Sequence, residues 1–154
     1  MRSSTLFKPL LFVPICALAV FGADNSLGMW KLNVAKSTYS PAPFPVKSLT
    51  TTRLAWTGGV KVTNTGEMAD GSPIESGYTA KYDGTESPYS GVVWNTISVK
   101  QVDADTFTNE TKGGSYHAIA QVKVSADGKT MTVTSKGTDS EGKAFSSTYV
   151  YEKP

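Results

Sequence analysis

The sequence predicts an all-β protein, an antiparallel up-and-down meander of about eight to ten strands that closes into a small barrel. Three observations carry this. First, short runs from Val46 to Glu152 alternate apolar with polar residues; in the clearest, Tyr116, Ala118, Ala120, Val122 and Val124 share one face. Second, turn signals recur at hairpin spacing: Gly58-Gly59, Asp70-Gly71, Asp83-Gly84, Gly113-Gly114 and Asp127-Gly128. Third, no stretch beyond residue 46 has a helical period. Hairpin-length loops make sequence neighbours antiparallel. Each strand offers one modest apolar face and one face of Thr, Ser and Lys, and closure removes the exposed edges such strands would leave.

Residues 1–23 read as a cleaved signal peptide. Arg2 and Lys8 give a positive start, Pro9 to Phe21 is apolar, and the small residues Gly22 and Ala23 follow. The apolar run is shorter than the ~20 residues a spanning helix needs. Cleavage within residues 19–23 is expected, after Ala19, Gly22 or Ala23, with export to the periplasm or the medium. No stable membrane insertion is expected once the signal is removed. Cys16 falls inside the signal, so residues 24–154 form one cysteine-free domain with no disulfide, thiol nucleophile or thiolate metal site.

The elements of the domain follow in order. In Gly28–Asn33 a short strand puts Trp30 and Leu32 on one face. Val34–Ser37 suits one helical turn. Residues 37–46 form a proline-rich arm, with Pro41, Pro43 and Pro45 holding it extended and Tyr39 and Phe44 able to pin it down. Strands are then expected at Lys47–Thr57, with Leu54 and Trp56 on one face, at Val60–Met68 and at Pro73–Tyr82, with Tyr78, Ala80 and Tyr82 together. Asp83–Gly91 reads as a long connection and Val92–Val102 as the next strand. Thr106–Thr111 is anchored by Phe107. Tyr116–Val124, Thr130–Lys136 and Phe145–Glu152 complete the meander.

Charge narrows the function. Removing Arg2 and Lys8 from the 15 basic side chains leaves as many as the 13 acidic ones. The signs alternate along the chain without a Lys/Arg cluster, which argues against nucleic acid as a partner. The Asp-Gly pairs lack the alternating acidic ligands of a calcium loop and read as turns. His117, the single histidine, alternates away from the Tyr116/Ala118 face and points to solvent. Asp103/Asp105 and Asp139/Glu141 sit in turns, where Asp bonds to local backbone. No catalytic residue, metal site or cofactor is predicted.

Gly28-Met29-Trp30 near the mature N-terminus, followed by the strand–turn succession to Glu152, resembles the lipocalin-like, calycin-type proteins, including small exported bacterial ones. The resemblance implies a barrel with a cavity for small apolar molecules, with Gly28 and Trp30 closing one end. Lipocalins often pack an arginine from a late strand against that tryptophan; here the only arginine beyond the signal is Arg53.

The aromatics either line a pocket or fill a core. The cavity candidates are Trp56, Tyr78, Ala80, Tyr82, Trp94, Phe107, Tyr116, Ala118, Ala120 and Tyr149, the alanines supplying open space. The leading expectation is non-enzymatic binding of a small apolar or amphipathic molecule inside the barrel. The alternatives are a structural or protein-interaction module with a filled core and, third, a hydrolase or isomerase on the same scaffold.

Overall fold

The computed structural model describes residues 22–154, so the signal expected at 1–23 lies almost wholly outside the described residues. The chain forms β1 (Gly28–Leu32), a 3-10 turn (Val34–Lys36), β2 (Thr38–Ser40), β3 (Val46–Trp56), β4 (Gly59–Met68), β5 (Pro73–Lys81) and β6 (Asp83–Ser90). It continues through β7 (Thr96–Gln101), β8 (Thr106–Gly113), β9 (Tyr116–Val124), β10 (Thr130–Thr138) and β11 (Ala144–Glu152).

Every pairing is antiparallel. From β3 to β11 each strand pairs with the next, and β1 lies between β3 and β11. Ten strands therefore make a closed up-and-down barrel, as the alternation and the hairpin signals predict. β2 stands outside the ring. It extends the line of β1 past the 3-10 turn and pairs only with the first half of β11, through Thr38–Ser40 against Ser146–Thr148.

The interruption between β1 and β2 is bridged to β11. Asn33 N donates to the Val150 carbonyl at 2.8 Å, and Val150 N donates to Ser37 Oγ at 3.0 Å. Asn33 Oδ1 accepts from Lys36 N at 3.1 Å, an Asx cap that explains the single helical turn. The proline arm is held as its aromatics suggest. Tyr39 stacks on Phe145 at 5.8 Å, and Phe44 packs on Tyr149 at 5.0 Å.

The turns use one device. Asp70, Asp83, Asp103, Asp127 and Asp139 each accept, through Oδ1, the backbone N–H two residues on, at 2.9 to 3.0 Å. The carboxylates of Asp70, Asp83, Asp103 and Asp127 are held below the usual range by bonds with neighbouring turn residues. The paired acids Asp103/Asp105 and Asp139/Glu141 are turn residues.

One stretch differs from the sequence reading. Asp83–Ser90 is a strand, and the connection is residues 91–95. β6 hides its nature because it carries Pro88 and mostly polar residues. Its ladder is sparse, with two register positions on β5 and four on β7. The apolar run Val92-Val93-Trp94 crosses the barrel mouth instead of entering the sheet.

The core sits toward one end of the barrel, here the base, where the β3–β4, β5–β6, β7–β8 and β9–β10 turns meet residues 23–27 and the segment after β11. Trp30, Val60, Val99, Phe107 and Met131 are essentially inaccessible there. Residues 23–27 cross this base and fasten it. Asn25 N donates to the Ala104 carbonyl at 2.9 Å, and Gln101 Nε2 to the Ala23 carbonyl at 3.1 Å. Trp30 Nε1 donates to the Ser26 carbonyl at 2.8 Å. Arg53, buried in the wall, donates from Nε to Ser26 Oγ at 2.9 Å, with its guanidinium 5.7 Å from the centre of the Phe107 ring. Tyr82 Oη donates to Asp24, which also accepts from Ser26 N at 2.8 Å. Asp24 and Arg53 thus face each other through Ser26, and the buried charge is compensated without a direct ion pair.

The cation on Trp30 comes from an unexpected residue. Lys153, just past β11, places Nζ 4.8 Å from the ring centre. Arg53 sits on β3 and serves the base network instead.

Candidate functional site: the tyrosine-lined mouth

Above the base the inward positions change character. They carry Asn64 on β4, Ser76 on β5, Ser87 and Tyr89 on β6, Asn109 and Thr111 on β8, and Tyr116, Ala118 and Ala120 on β9. Ser135 on β10, and Phe145, Ser147 and Tyr149 on β11, continue the set. Most are only half-buried, whereas the inward positions at the base are buried. Alternation brings no Lys, Arg, Asp or Glu from these strands to the inner face of the mouth half.

Aromatic rings run across this half in an unbroken series. Tyr78 meets Tyr89 at 4.7 Å, Tyr89 meets Trp94 at 5.6 Å, and Trp94 stacks on Tyr116 at 4.5 Å. Tyr116 meets Phe145 at 5.8 Å, and Phe145 carries the series to Tyr39. Tyr149 and Tyr151 stand 6.4 Å apart on β11. Of the seven tyrosines, Tyr82 and Tyr151, the latter opposite Met131, lie with the buried core of the base, and Tyr78 borders it.

One of their hydroxyls, that of Tyr89, enters a neutral network centred on Asn64. Its Oδ1 accepts from Thr51 Oγ1 at 2.8 Å, and its Nδ2 donates to Ser76 Oγ at 3.1 Å and to Tyr89 Oη at 3.0 Å. Burial raises the phenol of Tyr89 well above its ordinary range, with Tyr78 adding to the shift. Burial does the same to Tyr151, reinforced by Tyr149. Tyr149 is pushed up to about 12 by burial, then by Tyr39 and Tyr116. Tyr116 is also raised by burial. The phenols stay protonated near neutrality, so the mouth offers uncharged donors, acceptors and ring faces. Such a surface stacks and hydrogen-bonds; it does not move protons at pH 7.

Among the described residues, two buried polar atoms here have no partner, Trp94 Nε1 and Asn109 Oδ1. Asn109 lies opposite Ala120 across the β8–β9 ladder. Unpaired buried groups are costly and uncommon in a folded chain.

The predicted residues divide between the two halves. Tyr116, Ala118, Ala120 and Tyr149 face the mouth, Tyr78 and Ala80 lie deeper on β5, and Trp94 caps the mouth from the 91–95 connection. Tyr82 and Phe107 are buried at the base, their rings 5.2 Å apart. Trp56 is a correction: it lies on the outer face and is 55% exposed, as is Leu54. The inner face of β3 is Leu49, Thr51 and Arg53, so the polar residues point in and the apolar pair points out. Asn64, Tyr89 and Asn109 were not among the candidates. Alternation signals Asn64 and Asn109, which continue the inward series of Val60–Val62 and of Phe107, whereas Tyr89 was lost with β6.

Other surface features are separate from the mouth. His117 is exposed on the outer wall with Nε2 2.8 Å from Glu110 Oε1, and Lys112 Nζ is 3.3 Å from the same oxygen. These two bonds hold the Glu110 carboxyl below its usual range. A shallow concavity of about 710 Å³ crosses the outer faces of β8 to β11 and β2, lined chiefly by Thr108, Ile119, Gln121, Thr134, Lys136 and Thr148. Among the described residues no three His, Cys, Asp or Glu side chains gather as metal ligands, and no helix is long and apolar enough to cross a membrane.

No protein-family model matches the sequence, and no curated protein resembles it closely enough to count as a relative. Two solved structures are similar in three dimensions. One is the S-type phycobiliprotein lyase CPES from Guillardia theta, at 13% identity and a TM-score of 0.53, covering 84% of this chain and 89% of that one. The other is EF1p2_mFAP2b bound to DFHBI, at 13% identity and a TM-score of 0.47, covering 84% and 94%. The likeness to the lyase is one of fold alone.

Proposed function

We propose that this protein is exported and binds a small apolar or amphipathic molecule in the mouth half of its barrel, without chemistry on it. The carrying observation is the contrast in burial. The base is sealed, while the mouth is lined by half-buried neutral phenols, amides and small residues and holds two partnerless polar atoms. Barrel mouths lined by aromatics with a few convergent polar groups are a common ligand site. The fold likeness supplies the scaffold and does not name the ligand. Export rests on the leader pattern of residues 1–23.

A second reading has its own observation. Met29, Leu54 and Trp56 are exposed on the outer faces of β1 and β3, and such residues also suit a protein-interaction module.

Native mass spectrometry of the protein purified from its own host tests the first reading. A reproducible adduct of a few hundred daltons, lost from a variant with Tyr116→Ala and Tyr149→Ala, is the expected result. A clean apo mass, together with an unchanged thermal melt on adding the host's small-molecule extract, would overturn it. N-terminal sequencing of the same material tests export, with a start between residues 20 and 24 expected.

A further inference from the structure

Trp94 is carried by the 91–95 connection and not by a strand. Its ring fills a slot between Tyr116, stacked at 26°, and Tyr89, edge-on at 76°. Such a slot is the natural seat of a flat aromatic molecule. The present occupant fits it imperfectly, because Nε1 is sealed off from both solvent and partners.

The connection is built to hold Trp94 without fixing it. It is anchored at Asn95, whose carbonyl accepts from Tyr89 N at 2.8 Å and whose N donates to the Lys112 carbonyl at 2.9 Å. None of the backbone bonds that fix this connection involves Val92, Val93 or Trp94. Gly91 begins it with φ of 77°, a left-handed conformation that suits glycine. The connection rests directly on Gly113, where a Cβ would stand 2.5 Å from Trp94 Cα. Beneath the ring the wall is low, at Ala118, Ala120 and Ser135, and Asn109 presents its unpaired Oδ1. Tyr116 and Ala120 lie about 13 Å apart along β9 by strand rise. A two-ring molecule together with the Asn109 side chain spans that distance.

We propose that Trp94 is a stopper occupying the ligand's own seat, and that the ligand is a neutral, planar, phenol-like aromatic molecule that displaces it. The ligand's rings lie between Tyr89 and Tyr116, and its hydroxyl donates to Asn109 Oδ1. The displaced indole turns to solvent, where water accepts from Nε1. Neutrality follows from the inward surface, which in this half carries neither an ammonium nor a carboxylate to meet a charge. This proposal rests on the reading of the barrel as a ligand-binding protein.

The test uses 2-naphthol, 2-methoxynaphthalene and 2-naphthoate as probes, with protein labelled with 5-fluorotryptophan and followed by fluorine NMR. The Trp94 signal is identified by its loss in Trp94→Phe. Saturation with 2-naphthol moves that signal to its solvent-exposed position and leaves the Trp30 signal in place. Trp94→Ala removes the competitor and tightens 2-naphthol by about tenfold, since apparent affinity is scaled by the fraction of sites that stand open. Trp94→Leu gives the same direction should the alanine variant fold poorly. Asn109→Leu weakens 2-naphthol by about tenfold and leaves 2-methoxynaphthalene unchanged. If 2-naphthol binds with the Trp94 signal unmoved, or more weakly to Trp94→Ala, the stopper is overturned and the binding function stands. Equal affinity for 2-naphthoate overturns the neutral ligand class. Failure of every probe to bind both wild type and Trp94→Ala overturns the stopper and its ligand class, while the binding reading stands or falls on the native mass and thermal melt.

Discussion

The base and the mouth of this barrel are made from the same strands, yet the strands carry different residues along their length. On β4 the inward series runs from Val60 and Val62 at the base to Asn64 at the mouth. On β8 it runs from Phe107 to Asn109 and Thr111, and on β9 from Val124 and Val122 to Ala120, Ala118 and Tyr116. At the base, large apolar groups are sealed and polar ones are tied together through Ser26, which serves Trp30, Arg53 and Asp24. At the mouth, Asn64 links Thr51, Ser76 and Tyr89, and among the described residues two buried polar atoms remain unpaired. Stability is thus concentrated at one end, and the other end is free to specialise in recognition. This is a common division, because a site needs unsatisfied groups and a core cannot tolerate them.

The sharpest test of that division is truncation at the base. Trp30→Ala and Phe107→Ala should each cost about 3–5 kcal/mol in a denaturant melt, the usual range for a buried aromatic. A loss below ~1 kcal/mol at both would show that the base is not where stability resides.

An alkaline titration reads the burial of the phenols next, at the base as well as at the mouth, on the order of 2 kcal/mol for Tyr149 alone. Its folded pKa, about 12, lies above the ordinary phenol value. The unfolded chain therefore ionises first. The stabilisation is fully present below pH ~10 and is lost as pH rises through the folded value. Absorbance at 295 nm should show most phenols titrating late and together with unfolding. Ordinary titration of the whole set near pH ~10 in the folded state would contradict their burial.

A smaller loss, about 1 kcal/mol, is expected for Tyr89→Phe, which removes a hydroxyl that accepts from Asn64. If this variant costs as much as Trp30→Ala, the contrast between mouth and base is broken. The smallest effect belongs to Trp56→Ala on the outer wall, within about 0.5 kcal/mol by thermal melt.

Much of the barrel was legible because alternation is a local property. Tyr116–Val124 and Thr130–Lys136 needed only the two-residue period to orient correctly. The turns were equally local, since each Asp satisfies its own neighbouring backbone. β6 was not legible, because a strand holding Pro88 and few apolar residues is kept in place by its neighbours and not by its own pattern. Trp56 misled for a related reason. An apolar pair on β3 suggests an inward face, but the barrel takes in Arg53 instead, where Ser26 and Phe107 compensate the charge. Among the mouth residues, Tyr116, Ala118, Ala120 and Tyr149 could be read from alternation, while their company could not.

The sequence by itself determined the class of fold, the direction of most strands and the opening element Gly28–Asn33, since these follow from period, turn chemistry and the one tryptophan near the start. Tertiary structure decided what that element meets. β1 lies between β3 and β11, Lys153 covers Trp30 from beyond the last strand, and β2 is left outside the ring. It also decided that the tyrosines converge and that Trp94 closes over them. Those arrangements depend on register between residues far apart in the chain, and register is set by the closure of the whole barrel, which no local pattern encodes.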